Sequence, residues 1–423
     1  MLEIQRIRTD KEGIIEGLKK RHFDAAPIVE EVLKLDQEWR TKKTELESIA
    51  AEMNQISKQI GILFREGKQE EANAAKAKTG ELKSAEAELK VTVDGIDTKI
   101  QDLMYQLPNV PNELVKAGKS EEDNEIVETH GAPPAFNFSA KPHWELTSQY
   151  GLIDFELGVK LTGAGFPVYR GKGAKLQRAL INFFLAEAEE AGYEEVIPPL
   201  MVNEASAIAT GQLPDKEGQM YHDSRDDLYL IPTAEVPITN MYRNVIMPDE
   251  NFSVKLTGYT PCFRREAGSY GSDVRGLNRL HQFDKVEIVR LEHPNNTEKA
   301  LGEMIDHIKN LLEKLGLQYR ILRLCGGDCG FTSAMTYDFE VYSAAQDKWL
   351  EVSSVSRFDT FQANRLKLRF KNTNKKTQLC HTLNGSALAL PRIMAALLEN
   401  FQTEDGIEIP EVLHSYTGFE KIS

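Results

Sequence analysis

Between residues 28 and 107 the apolar positions recur at alternating steps of three and four. Ile28, Val32, Leu35 and Trp39 open the series, and Leu46, Ile49, Met53, Ile56, Ile60 and Leu63 continue it without a fault. This spacing is the apolar seam of a coiled coil. Gly67 falls in a polar stretch where the chain can reverse. Leu82, Ala85 and Leu89, then Val93, Ile96, Ile100, Leu103 and Leu107, resume the seam until Pro108 and Pro111 stop it. The pattern predicts two antiparallel helices, each roughly 50 to 60 Å long at 1.5 Å per residue. Upstream, residues 1–26 carry short apolar pieces, with breaks expected near Gly13 and Gly17. One stripe per helix holds a pair together and leaves the other faces solvated, as expected of a projecting arm. A dimerisation hairpin and an arm that grips a partner would look alike.

Residues 112–142 are polar, with Glu121, Glu122 and Asp123 in a row and Pro133-Pro134, and read as a linker. Compact α/β texture follows from 143 to 423. A helix is expected from Ala174 to about Ala191, closed by Gly192, then a short strand ending at Pro198-Pro199. Further helices are expected over 296–316 and 393–401, and a strand over 319–324. Three pairs of polar or aromatic residues stand at even spacing in strand-like runs: Thr233 with Glu235, Arg264 with Glu266, and Phe283 with Glu287. Extended backbone would put each pair on one face. A guanidinium beside a carboxylate suits a phosphate and an amine, and a hydroxyl beside a carboxylate suits a small polar amino acid. An ordinary ion pair on a hairpin, a Thr-Glu pair at a helix start and a core phenylalanine fit the same residues.

Composition narrows the setting. The 423 residues are 41% hydrophobic and 27% charged, with a formal net charge of −14. That acidity argues against binding DNA or RNA through overall field, though a local basic patch could still meet RNA. Arg365, Lys367, Arg369, Lys371, Lys375 and Lys376 form such a patch, or a solvated hairpin. No apolar run is long enough for a bilayer and no secretory leader opens the chain, so the expectation is a cytoplasmic protein with no membrane partner. Cys325 and Cys329, three residues between them, make a weak metal pair.

The wording around residues 258–287, CFRREAGSYGSDVRGLNRLHQFDKVE after a short apolar run, resembles the second signature of class II aminoacyl-tRNA synthetases, and of seryl-tRNA synthetases in particular. The helix, strand and Pro199 resemble the first signature, and residues 384–392, NGSALALPR, the third. The segment Thr233-Ala234-Glu235 is similar to the serine-binding TxE of the same family. The resemblance implies an α+β fold, an antiparallel sheet flanked by helices behind an N-terminal two-helix arm. Residues 1–111 would form a tRNA-binding domain.

By the same resemblance the chain activates L-serine with ATP and Mg²⁺ to seryl-adenylate, then charges tRNA(Ser), with tRNA(Sec) a further candidate, as a homodimer joined near Pro199. Thr233, Ala234, Glu235, Glu287 and Ser386 would hold serine. Arg264, Arg265, Glu266, Arg279, Phe283, Glu351, Val352, Ser353, Ser354 and Arg392 would hold ATP, with Arg264, Glu266 and Arg392 catalytic. Glu351 and Ser354 would share Mg²⁺, which takes hard oxygen ligands. Arg392 would face Phe283 across the adenine. The loop around 210–214 resembles the one that closes over substrate. Lys58, Arg65, Lys68, Lys76, Lys78 and Lys83 could meet tRNA phosphates. Where the family commonly has cysteine and asparagine, this chain has Val355 and Arg357, and Arg357 would bring a fixed charge near the phosphates, either adding a contact or pointing to solvent. Ala387 and Pro391 replace glycines of the looser signature. A carrier-protein ligase would lack the arm, and an inactive scaffold would not need the arginines and glutamates.

Overall fold

A computed structural model describes residues 1–215, 217–248, 252–266 and 275–423. The glycine- and serine-rich part of the second signature, 267–274, lies outside the described residues. The chain divides into two units, residues 2–19 with 23–108, and Met1 with 20–22 and 109–423.

The first unit is helical. Helices Ala26–Arg65 and Gln69–Met104 pack along each other, joined at Gly67, which has φ 73°. The seam is as expected: Val32, Leu35, Ile56, Val93, Ile96 and Ile100 are buried, while flanking positions are solvated. Two details differ. Val29 is buried where Ile28 is only partly so, and Ala85 is exposed while Leu82 and Leu89 are half-buried. The breaks fall near Gly13 and Gly17 rather than at them, at Asp10 and after Lys19. Both glycines lie within the helix Lys11–Lys19, where Asp10 accepts a hydrogen bond from the Gly13 N–H at 3.1 Å. The helices Ile4–Thr9 and Lys11–Lys19 bury Ile7, Ile14 and Leu18, and the Arg8 side chain pairs with buried Asp36 at 2.8 Å.

The second unit is built on an eight-stranded sheet. Its strands are β1 Glu125–His130, β2 Glu194–Glu195, β3 Ser253–Phe263, β4 Gln282–Glu292, β5 Tyr319–Arg323, β6 Met335–Ser343, β7 Lys348–Asp359 and β8 His381–Ala389. Their order is β1-β5-β6-β7-β8-β4-β3-β2, antiparallel throughout except that β2 pairs parallel with β3. Strand β1 comes from the stretch read as linker. Its Ile126 and Val127 stay exposed, so the alternation that would have marked a strand is missing.

On one face lie the helices Gly171–Glu190, Thr297–Lys314 and Leu390–Asn400. They share one apolar core with the inward residues of the strands, among them Val286, Ile288, Phe339, Val355 and Leu383. Gly192, at φ 83°, ends the first of these helices as expected. On the other face part of the sheet carries polar side chains, and Leu256, Val289 and Leu291 pack into a second, smaller apolar cluster with Ile238 and Leu366. Among the described residues no helix is long and apolar enough to cross a membrane.

Candidate active site

The polar face of β4, β7 and β8 forms the floor of a cavity of about 550 Å³. Strand β4 sends Phe283, Lys285 and Glu287 into it, each two residues from the next, while Val286 and Ile288 go to the core. The expected pair Phe283 and Glu287 therefore share a face for the expected reason. Lys285 between them passed unremarked in the sequence, although the same even spacing marks it.

Arg264 and Glu266 both line the cavity, but strand alternation does not put them there. Strand β3 ends at Phe263, and Glu266 has φ 48°, so the chain turns between them. The Arg264 N–H still donates to His281 O at 2.9 Å, and its guanidinium lies 5.2 Å from the Phe283 ring centre. Arg264 thus lies against that ring. Thr233 and Glu235 are likewise not on a strand: Glu235 is the first residue of the helix Glu235–Asn240. Both line the cavity all the same, with the Glu235 N–H donating to Thr233 Oγ1 at 3.2 Å. Ala234 is buried and does not line it, and Arg265 is exposed, its guanidinium over the Tyr221 ring at 5.9 Å.

Glu351 and Ser354 are three apart and would face opposite ways on a regular strand. A bulge corrects this. In the β6–β7 ladder Phe339 pairs with Ser353 and Glu340 with Glu351, leaving Val352 as the extra residue. Glu351 and Ser354 consequently stand opposite Glu340 and Asp338, two residues that share a face, and both line the cavity with Val352 and Ser353. Beyond the bulge Ser356 also lines it, while Val355 goes to the core. Arg357 falls on Val355's side. It is 7% exposed, donates from Nε to Asp359 Oδ1 at 2.9 Å and pairs with Glu298, so its charge is spent away from the cavity. Of the two outcomes left open for Arg357, a contact in the site or exposure to solvent, the structure shows neither: its charge is buried and paired. A second irregularity, in the β4–β8 ladder, lets Ser386 and Ala389 both line the cavity although three apart.

The cavity has a closed and an open end. At the closed end Thr233 donates to Glu287 Oε2 at 2.9 Å, and Lys285 Nζ donates to Thr233 Oγ1 at 3.1 Å and pairs with Glu287 at 2.5 Å. Asn384 donates to the other Glu287 oxygen at 3.2 Å. Glu235 accepts from Gln362 Nε2 at 2.6 Å, and Gln362 in turn accepts from Thr382 at 2.7 Å. Burial pushes the Glu235 carboxyl up to about 7, opposed by the Gln362 hydrogen bond and reinforced by nearby Glu287. Lys285, Asn384 and Gln362 are the partners that sequence reasoning missed.

At the open end Arg264 Nε donates to Pro232 O at 3.3 Å, and Arg279 donates to Glu266 at 3.2 Å. Arg392, in the first turn of Leu390–Asn400, donates to Asn278 O at 3.1 Å and Glu351 O at 2.7 Å. From the segment that follows the helix Glu204–Thr210, Gln212, Glu217 and Gln219 reach the cavity.

Outside the cavity, Pro199 lies in an irregular segment beside exposed Ile197, Leu200 and Met201. The basic stretch forms a hairpin, Arg369–Lys371 with Thr377–Leu379, but Arg365 turns inward to Ile208 O and Leu213 O. On the arm, Lys78 pairs with Glu52 and Lys68 with Glu66. The four cysteines are free and buried, and no metal-sized cluster of His, Cys, Asp or Glu occurs among the described residues.

Comparison with known proteins gives two family matches. Residues 1–111 match the seryl-tRNA synthetase N-terminal domain, and residues 219–401 the tRNA synthetase class II core domain (G, H, P, S and T). The serine--tRNA ligase of Salinibacter ruber is 50% identical over 424 residues, covering 100% of this chain and 99% of its own. That of Thermotoga neapolitana is 44% identical over 425 residues, with both chains fully covered. The crystal structure of Pyrococcus horikoshii seryl-tRNA synthetase complexed with ATP superposes with TM-score 0.91 at 35% identity, covering 100% and 99% of the two chains.

Proposed function

The chain belongs to the seryl-tRNA synthetase family, which joins serine to tRNA at the expense of ATP, and from that premise we propose how its cavity divides the work. The closed end takes L-serine and the open end takes ATP. The observation that carries this reading is the contrast within one cavity. A buried hydroxyl, ammonium and carboxylate set stands at one end, and partly exposed arginines beside Phe283 stand at the other.

In the first step a serine carboxylate oxygen attacks the α-phosphorus of ATP and the bond to pyrophosphate breaks, leaving seryl-adenylate. Glu235 meets the serine ammonium, and Thr233, Glu287 and Ser386 meet the rest of the amino acid. Arg264 stabilises charge gathering on the α-phosphoryl oxygens, Glu266 accepts from the adenine amine, Phe283 stacks on the base, and Arg279 and Arg392 hold the outer phosphates and ring. In the second step the terminal 3′-hydroxyl of tRNA attacks the seryl carbonyl, and AMP leaves.

Glu351 and Ser354 fit Mg²⁺, because the bulge turns two hard oxygen donors toward the same space. Bound there with phosphate oxygens and water, the ion would neutralise phosphate charge. Arg265, exposed over Tyr221, is the weakest of the assigned ATP contacts. The helical pair between residues 28 and 107 grips tRNA(Ser), its basic residues and the hairpin Lys371, Lys375 and Lys376 meeting backbone. The exposed apolar run at Ile197, Pro199, Leu200 and Met201 supports a homodimer joined near Pro199. Residues 1–111 act as the tRNA-binding domain and 143–423 as the catalytic one.

The test is amino-acid-dependent ATP–pyrophosphate exchange with serine, threonine and alanine, then charging with residues 28–105 replaced by a short linker. Exchange with serine alone, and charging of tRNA(Ser) that collapses while exchange survives, is expected. No exchange with serine would overturn the active-site reading. tRNA(Sec) is offered as second acceptor in the same assay, and retained charging without the arm would remove the arm's role.

A further inference from the structure

One wall of the cavity is formed by Leu277, Asn278 and Arg279, in the segment 275–279. The Leu277 N–H donates to His143 Nε2 at 2.8 Å. Asn278 donates to Gln346 at 3.1 Å, and its carbonyl accepts from Arg392 Nε at 3.1 Å. Arg275 lies 4.7 Å from the Trp144 ring centre. Gly276 has φ 66°, and a Cβ there would come within 2.2 Å of His143 Nε2. A glycine is what allows the backbone to pass so close to the imidazole.

His143 is fully buried at the start of the helix His143–Gln149. Its Nδ1 is 2.6 Å from Glu399 Oε1, and its own N–H donates to the same oxygen at 2.8 Å. Glu399 is also buried and accepts from Ser343 and Gln346. Since Leu277 presents an N–H, Nε2 must be the unprotonated nitrogen. Nδ1 therefore carries the proton and donates it to Glu399. Glu399 belongs to Leu390–Asn400, the helix whose first turn presents Arg392. The contacts close a ring: Leu277 to His143, His143 to Glu399, along the helix to Arg392, and from Arg392 back to Asn278.

We propose that His143, oriented by Glu399, is a positioning residue for the nucleotide half of the cavity. It does not line the cavity. It holds segment 275–279 against the helix of Arg392, so that Arg279 and Arg392, from distant parts of the chain, face one ligand. A carboxylate that orients a histidine, which then holds a working group, is a recurrent arrangement in enzyme sites. The proposal rests on the assignment of the open end to ATP.

The test is ATP–pyrophosphate exchange by the full chain carrying His143→Phe or His143→Gln. Phenylalanine fills the space without an acceptor, and glutamine can return an oxygen to the Leu277 N–H. His143→Phe is expected to raise KM for ATP about tenfold, the effect of one buried unpaired N–H, with KM for serine within about twofold. His143→Gln should recover most of the loss. Equal rises in both KM values, or glutamine no better than phenylalanine, would overturn the proposal. Should His143→Phe fail to fold, nitrogen NMR of labelled histidine in the unaltered chain decides. An Nδ1–H tautomer whose Nε2 signal moves with ATP but not with serine supports the proposal. A protonated Nε2, or no response to ATP, defeats it. Absence of serine-dependent exchange in the unaltered chain would instead count against the assignment on which the proposal rests.

Discussion

The two ends of the cavity are made differently. At the closed end Thr233, Glu235, Lys285 and Glu287 are each 6% exposed or less and are already hydrogen-bonded to neighbours. At the open end Arg264 and Arg392 lean on backbone carbonyls, and Arg279, about half exposed, pairs with Glu266. A ligand entering the closed end must match groups that cannot turn to water, so a wrong one leaves a buried polar atom unpaired. A ligand at the open end meets cations that can follow its charge. On the proposed reading, the first arrangement would select and the second would stabilise charge as it develops.

The sharpest way to break this contrast is Arg264→Ala. The exchange rate with serine should fall by roughly 10²- to 10³-fold, with KM for serine little changed. Next is Thr233→Val, which keeps the shape and removes the hydroxyl between Lys285 and Glu287. It should raise KM for serine by roughly ten- to a hundredfold and leave KM for ATP alone, measured in the same assay. A rise in both would mean that the two ends do not work separately.

A smaller effect concerns pH. Burial holds the Glu235 carboxyl at about 7 rather than in its ordinary range, so it gains its proton as pH falls through that value. The neutral acid attracts the serine ammonium less, and KM for serine should climb by up to about tenfold for each unit below 7. KM for ATP should stay flat, and Glu235→Gln should remove the slope. The smallest effect on catalysis is expected from Arg357→Asn. That arginine serves Asp359 and Glu298 on the far side of β7, so exchange should stay within about twofold. Thermal unfolding should show a loss of about 1–2 kcal/mol.

Much of the site was visible in the chain, though not always for the reason that local pattern suggested. Phe283 and Glu287 share a face because β4 is regular there. Arg264 with Glu266, and Thr233 with Glu235, meet in the cavity through a turn and a helix start. Even spacing pointed to residues that do meet in the cavity, but by the wrong geometry. Lys285 stood two residues from both Phe283 and Glu287 and was legible on the same argument. Gln362 and Asn384 were not, because nothing near them in sequence shows that they meet Glu235 and Glu287.

What the sequence alone determined is the structure that neighbours impose on one another: the helical seam, the reversal at Gly67, the stop ahead of Pro108, at Met104, and the cap at Gly192. Each depends on contacts a few residues away, which periodicity records. Tertiary structure decided which way Glu351, Ser354 and Arg357 face, because one extra residue against β6 reverses the alternation along β7. It also decided that His143 and Glu399, 256 residues apart, support Leu277. Register between strands and packing between distant segments set those outcomes, and neither leaves a repeating mark along the chain.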